Sequence, residues 1–479
     1  LRLPVVTVGG GLAGTVFALK LKAARPELEV ILIDEGRRPG RGLAYGACAP
    51  LHLLNVPVSR METGLEPRFI DWLAERPDAL TEALAESGGD LASAFAPRAL
   101  FGAYLEARLT AGRAAPGRDG VQVVRGRAAS ALAGGRRGVV LEDGRQIEAA
   151  AVVLAIGNLP PSPPGVRDAW LYDTPMFVAD PWAADAFEGL APDAPLLLVG
   201  TGLTMVDVAL KLEALGHRGP MLAVSRRGLV PRAHQSGGAW PEFLSEYVGE
   251  TPLALMRRVR AEVRRAQAKG IPWQRVFDAA RPAIAAVWSA WSVRQRRRFL
   301  RHLRARWDVH RHRTAPRINA ALQALIASGR LRILAGRLAG FDPQGERVRV
   351  ALKPRGGGRD ETFVAARVVN CTGPASDFDR LAIPLIQSLR AQGLVRPDPL
   401  GLGLESLDTA LVGSAGRPSD WLFALGPLTR PAWWEITATP EIIVQADRLV
   451  ARLADPHAAA PPLSAASTAA AFLDLGAGI

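Results

Sequence analysis

The chain has little sulfur and nothing that would carry it across a bilayer. Its 479 residues include two cysteines, Cys48 and Cys371, far apart and outside any C-x-x-C or His/Cys cluster. That spacing excludes a disulfide framework, a thiolate zinc site and redox chemistry by a protein dithiol. No apolar run approaches the roughly 18 residues that suggest a membrane span. A strand pattern begins near residue 3 with no secretory leader ahead of it, so a cytoplasmic protein is expected. Lysine is scarce too, although the formal charge is +13. Such a charge suits nucleic acid or an anionic membrane surface. No nucleic-acid-binding motif accompanies it, and with arginine, alanine and glycine abundant the excess reads as compositional bias. What remains, 48% hydrophobic, is a globular chain with room for about two to three domains.

Against that background, one phrase stands at the start. Val5-Val6-Thr7-Val8 is the short apolar run of a buried parallel strand, and Gly9-Gly10-Gly11-Leu12-Ala13-Gly14 follows it directly. Val16, Ala18, Leu19 and Leu21 continue with a helical pattern. Strand, glycine turn and helix are the parts of a dinucleotide cradle: Gly9 permits the tight turn, Gly11 the approach of a pyrophosphate, and Gly14 close packing of helix on strand. Phosphate then sits at the helix N-terminus, where free N–H groups favour negative charge. The next strand, Val30-Ile31-Leu32-Ile33, ends in Asp34 and Glu35. A carboxylate there accepts hydrogen bonds from a ribose diol and repels a 2′-phosphate.

A second phrase repeats the first with a different ending. Leu196-Leu197-Leu198-Val199 leads into Gly200-Thr201-Gly202-Leu203-Thr204-Met205, with helical spacing at Val206, Leu210, Leu212 and Leu215. Met205 replaces the third glycine, so helix and strand are expected to stand further apart. After the strand Met221-Leu222-Ala223-Val224 come Ser225, Arg226 and Arg227, where the first phrase had acid. Paired guanidiniums beside a hydroxyl suit a 2′-phosphate. The first motif alone does not distinguish FAD from NAD; its position at the N-terminus of a chain with a second such site assigns it to FAD, and the arginines assign the second to NADPH, so that hydride passes from nicotinamide to isoalloxazine.

Several further segments fit a flavoprotein. Ala151 to Ile156 is an apolar strand ending in Gly157; Trp421 to Leu425 is another ending in Gly426, with a helix from about Pro440 to Leu453 behind it. The glycine-rich stretch around Gly42, and Asn55 and Val56 beyond it, lie where a flavin would be covered. The segments GRGLAYGACAPLHLLNVPVSRM, GTGLTMVD, SRRGLVPRAH, WDVHRHRTAP, VVNCTGP and FALGPLTRPAWWEITATPEI together resemble the bacterial FAD-NAD(P)-binding family, related in layout to flavin-containing and N-hydroxylating monooxygenases. The resemblance implies FAD, a nicotinamide donor and an α/β two-dinucleotide fold: a Rossmann-like FAD domain with an inserted Rossmann-like NAD(P) domain. The FAD set is then Gly9, Gly11, Leu12, Ala13, Gly14, Asp34, Glu35, Gly42, Asn55, Val56, Gly157, Gly426 and Glu441. The NADPH set is Gly200, Gly202, Leu203, Thr204, Ser225, Arg226 and Arg227.

The corresponding domains are 1–190 and 366–455 for FAD, 191–365 for NADPH with a helical insertion at about 241–324, and a weakly ordered tail at 456–479. Within the insertion, Ile284 to Trp307 reads as a helix with Trp288, Trp291, Phe299 and Leu303 on one stripe. His310 and His312 have only Asp308 nearby, among arginines, which argues against a metal. The candidate catalytic residues are His52, Trp434 and Glu435. The leading expectation is a monooxygenase that hydroxylates a small polar substrate with O2 through a flavin C4a-peroxide. The alternatives are a reductase serving a quinone, protein or organic acceptor, and a flavin-containing nucleic-acid-associated protein.

Overall fold

A computed structural model of the chain describes residues 3–114, 119–166, 169–379 and 381–455. The stretch 456–479, expected as a weakly ordered tail, lies outside them. Two seven-stranded sheets organise the molecule.

The first sheet grows from β1 (Val5–Val8), β2 (Val30–Asp34) and β3 (Gln122–Arg125), all parallel. A small antiparallel sheet, β4 (Ala128–Ala131), β5 (Gly138–Leu141) and β6 (Gln146–Glu148), branches off before β7 (Ala151–Leu154) returns beside β1. Val5 lies opposite Val30 on one side and Ala151 on the other. β1 is thus covered on both edges and both faces, which is why it is all β-branched. The helices α1 (Leu12–Ala24), α2 (Gly42–Gly46), α3 (Phe69–Ala74), α4 (Thr81–Glu86) and α5 (Arg98–Gly112) follow in the same half. On one face of the sheet, Val16, Phe17 and Leu21 of α1 and Phe101 and Leu105 of α5 bury against Val30 and Leu32.

The second sheet begins with β8 (Phe177–Val178), then β9 (Leu196–Val199), the helix α6 (Leu203–Ala214) and β10 (Met221–Ser225). Five helices interrupt it: α7 (Pro252–Ala268), α8 (Trp273–Ala280), α9 (Ile284–Ala290), α10 (Val293–His302) and α11 (Arg304–Arg311). Then α12 (Pro316–Ala327) packs Leu322 and Leu325 with Val206 and Leu210 of α6. The strands β11 (Leu331–Gln344), β12 (Arg347–Pro354), β13 (Glu361–Ala365) and β14 (Arg367–Asn370) complete it in the order β13-β12-β11-β10-β9-β14-β8. The chain then returns to the first half with α13 (Pro384–Ala391), β15 (Ser406–Leu407), β16 (Ala410–Val412), β17 (Pro418–Ala424) and α14 (Thr439–Ala454). β17 pairs in parallel with β7, and α14 packs on α1.

Two sequence expectations differ from this architecture. The second sheet reaches beyond 191–365 at both ends, because β14 pairs with β9 on one side and with β8 on the other. The stripe from Ile284 to Trp307 is three helices and not one. Trp291 turns extended at the end of α9, and Ser292 caps α10 through a reciprocal box with Gln295. The aromatic residues still converge: Trp288, Trp291 and Phe299 share one core with Trp434.

Candidate functional site

The two cradles are built alike and differ where their sequences differ. Gly9 has φ +107°, and a Cβ there would lie 2.4 Å from the Ala155 carbonyl oxygen. Gly200 repeats this with φ +118° and the Cys371 carbonyl oxygen at 2.3 Å. Only glycine fits either turn. A Cβ on Gly14 would sit 2.0 Å from the Gly9 oxygen, so α1 lies tight on its strand. Met205 holds the matching place in α6 and is wholly buried, which requires that helix to stand off. Gly11 and Gly202 are different again. Both cap their helices in extended conformation with no side-chain cap, and a methyl on either would meet no contact closer than 3.6 Å. The first-turn N–H groups of α1 and α6 are thus left to a ligand, and space remains beside them. Leu12, Ala13, Leu203 and Thr204 form those first turns.

At the tip of β2, Asp34 accepts hydrogen bonds from the Gly10 and Gly36 amides, both at 2.8 Å. Each carboxylate oxygen keeps a second acceptor position for a ribose hydroxyl. Glu35 is exposed and pairs with Arg127 at 3.5 Å. Gly42 packs on Gly11, and Gly426 comes beside Ala13. Gly157, at φ +70°, has open space around it.

At the tip of β10, Ser225 Oγ bonds Thr201 Oγ1 at 2.8 Å and accepts from the Gly228 amide. Arg226 is exposed; Arg227 donates to the Arg301 carbonyl at 3.0 Å. Slight burial, and then Arg355, Arg306 and Arg226, hold Arg227 below its usual pKa. Four arginines gathered there supply the positive field a 2′-phosphate needs.

Four of the expected site residues have other work. Glu441, placed with FAD by sequence, is buried and accepts from Arg281 at 2.9 Å and Arg311 at 3.0 Å. His52 is 1% exposed with both nitrogens occupied. Its Nδ1 accepts from the Ala49 amide, which leaves Nε2–H to donate to the Asp207 carbonyl at 3.1 Å. Burial lowers its pKa, so it is a neutral structural histidine and not a free proton carrier. Glu435 accepts from Trp307 Nε1 at 2.6 Å and lies 3.3 Å from Arg311 Nε. Trp434 stacks on Trp288 at 4.7 Å between centroids and carries the Arg430 guanidinium on its ring at 4.3 Å. Asn55 and Val56 lie in the segment beside α6; the Asn55 carbonyl accepts from His234 at 2.8 Å, and Val56 packs on the first core.

Sequence reasoning missed two features of the insertion. One is a buried ion cluster in which Asp278 pairs with Arg313 and Arg275, with Arg60 at 3.9 Å. Together with Arg281, Arg311 and Trp307 it binds the insertion to the FAD half. The other is a cavity of about 510 Å³ lined by Trp273, Phe277, Trp288, Phe299, Trp307 and Trp434. Its polar residues are Arg260, Arg264, Arg306 and His310; no Asp or Glu of the described residues lines it. A signal existed: residues 241–315 hold seventeen Lys and Arg against six Asp and Glu, a net +11 of the chain's +13. A genome-wide bias would have spread that charge. Among the described residues there is no group of three or more metal-ligating side chains, and no helix is long and apolar enough to cross a membrane.

Comparison with known proteins follows the same lines. Residues 6–159 match the family described as FAD-NAD(P)-binding. No curated protein matches the sequence. Among solved structures, the ornithine N-hydroxylase of Kutzneria sp. 744 is 14% identical at a TM-score of 0.61, covering 95% of this chain and 100% of its own. The L-lysine 6-monooxygenase of Pseudomonas syringae is 16% identical at 0.63, covering 94% and 99%. The FAD-bound cadaverine monooxygenase of Erwinia amylovora is 12% identical at 0.65, covering 96% of each. Residues 6–159 are thus similar to the FAD-NAD(P)-binding family, and the chain shares the two-dinucleotide fold of these monooxygenases.

Proposed function

We propose that the protein is an FAD-dependent, NADPH-using monooxygenase. The observation that carries this reading is the pair of matched cradles, one tipped by Asp34 and the other by the Arg226–Arg227 cluster. Gly11, α1 and Asp34 would hold the pyrophosphate and ribose of FAD; Gly202, α6 and the arginines would hold NADPH and its 2′-phosphate. An FAD held there would supply the hydride acceptor for NADPH and the centre that activates oxygen. The protein supplies position and dryness. His52 and Arg98 both hold Asp207 of α6, the latter at 2.9 Å, and so fix the second cradle against the FAD half. Trp434, behind the Gly426 turn, closes the aromatic wall that keeps water from the reacting centre.

The overall reaction balances as substrate–H + O2 + NADPH + H⁺ giving substrate–OH + H2O + NADP⁺. Oxygen as acceptor is favoured over a protein disulfide because Cys48 and Cys371 are both free thiols. The three structural relatives act on ornithine, lysine and cadaverine, which are amines. An ammonium in a cavity with three arginines and no carboxylate would be left unpaired, so the shared fold does not bring those substrates with it.

Reoxidation of the NADPH-reduced protein tests the reading. A monooxygenase is reoxidised by ¹⁸O2 in the presence of its substrate, with one labelled atom in the product and less than stoichiometric peroxide. Faster reoxidation by menadione, with peroxide as the only product of oxygen, would make it a reductase.

A further inference from the structure

The cavity in the helical insertion has a chemistry of its own. Its walls are ring faces and edges: Trp288 stacks on Trp434, Phe277 stacks on His310 at 5.2 Å and 14°, and Trp273 meets His310 edge-on at 4.8 Å. Such walls favour a flat apolar ligand, and about 510 Å³ is within the range of small-molecule sites. The rim is cationic. Arg260 and Arg264 stand one turn apart on α7, both exposed, and Arg306 is exposed on α11. None of the three has an ion-pair partner among the described residues. His310 adds no acid: its Nδ1 donates to the Arg306 carbonyl at 2.7 Å. The net +11 of residues 241–315 draws anions toward this part of the molecule.

We propose that this cavity binds a flat aromatic carboxylate, with its rings among the tryptophans and Phe277 and its carboxylate at the Arg260–Arg264 rim, and that such an acid is the substrate of the flavin reaction. Trp434 connects the two halves of the proposal, since it both lines the cavity and follows the Gly426 turn. The second half rests on the flavin reading above; the binding site does not. Arg306 stands between this rim and the Arg226–Arg227 cluster, so the rim is tested through α7 alone.

The test is calorimetric titration of the holoenzyme with four probes: 2-naphthoate, its alcohol 2-naphthylmethanol, its amine 2-naphthylmethylammonium, and decanoate. The expected order is naphthoate tightest, then the alcohol, with the amine weakest and decanoate below naphthoate. The double variant Arg260→Gln/Arg264→Gln, at two exposed positions, should weaken naphthoate about tenfold and leave the alcohol and the KM for NADPH unchanged. Equal or tighter binding of the amine, equal loss of acid and alcohol in the variant, or no heat from any probe would overturn the site. Tighter binding of decanoate would overturn its aromatic preference. Flavin bleaching by NADPH is followed on the same preparation. Naphthoate binding without bleaching sinks the flavin reading and leaves the site, whereas bleaching without binding does the reverse.

Discussion

At the scale of single residues, the glycines of the cradles separate folding from binding. Gly200 is required by the chain itself: its φ is positive, and a methyl would meet the Cys371 carbonyl oxygen at 2.3 Å. Gly202 is different, with φ −85° and nothing within 4 Å of an added methyl. Neither strain nor crowding requires glycine there, and close approach of a pyrophosphate is the reason proposed for it. Gly202→Ala should therefore leave the thermal melt unchanged and raise the KM for NADPH about tenfold, roughly 1.4 kcal/mol of lost binding, whereas Gly200→Ala should lower the melting temperature. An unchanged KM in Gly202→Ala would mean that no pyrophosphate passes there. His52 makes a complementary case. His52→Ala leaves the Ala49 amide and the Asp207 carbonyl without their buried partner and should cost about 1–3 kcal/mol in denaturant unfolding. Its rate of flavin reduction should stay within a few-fold of wild type, because a histidine with both nitrogens engaged carries no proton. The glycines and Asp34 were legible in the sequence because their constraint is local. Glu441 was not: its partners Arg281 and Arg311 lie 160 and 130 residues away, and only the fold brings them together.

At the scale of elements, the helical insertion shows which signals outrank an apolar stripe. Its break at Ser292 was written in the sequence as Ser-x-x-Gln, a capping box, and the continuous spacing of Trp288, Phe299 and Leu303 hid it. The buried ion cluster left no local trace, since arginines are common throughout. Asp278 illustrates its energetics. Burial pushes its carboxyl up, but Arg313, Arg60 and Arg275 together outweigh that and hold it at about 2, below the ordinary 3.8. A carboxyl with a depressed folded pKa contributes stability that is complete above its unfolded value and lost on protonation. Unfolding free energy should therefore fall by about 2 kcal/mol as pH drops from about 4 to about 2. In Asp278→Asn that slope should be missing. At neutral pH the variant should lose about 3–5 kcal/mol, because Arg313 and Arg60, which burial already holds at about 10, would lose their counter-charge. Denaturant titrations at pH 7 and between pH 2 and 4.5 read both effects, and a wild-type slope in the variant would contradict the assignment.

At the scale of the whole molecule, the duplicated strand–glycine–helix phrase made the two-dinucleotide plan readable, because each unit carries its own periodicity and turn. The joins between units were not. β8 and β14 belong to the second sheet through pairings with distant strands, and a two-residue strand has too short a pattern to announce its sheet. Nor did the sequence reveal that the insertion reaches back to the FAD half, where Trp307 and Arg311 meet Glu435 and Arg281 meets Glu441. That contact sets the aromatic wall behind the Gly426 turn and joins the charged insertion to the proposed chemistry. The account as a whole depends on one claim, that the acid-tipped cradle holds FAD and the arginine-tipped cradle delivers hydride from NADPH. Anaerobic mixing of the purified yellow protein with NADPH and, separately, with NADH tests it most directly, read as loss of the oxidised flavin band. The account predicts rapid bleaching by NADPH, slower bleaching by NADH, and loss of that preference in Arg226→Ala/Arg227→Ala. Equal rates with both nucleotides in the wild type, or a preference that survives in the double variant, would contradict it.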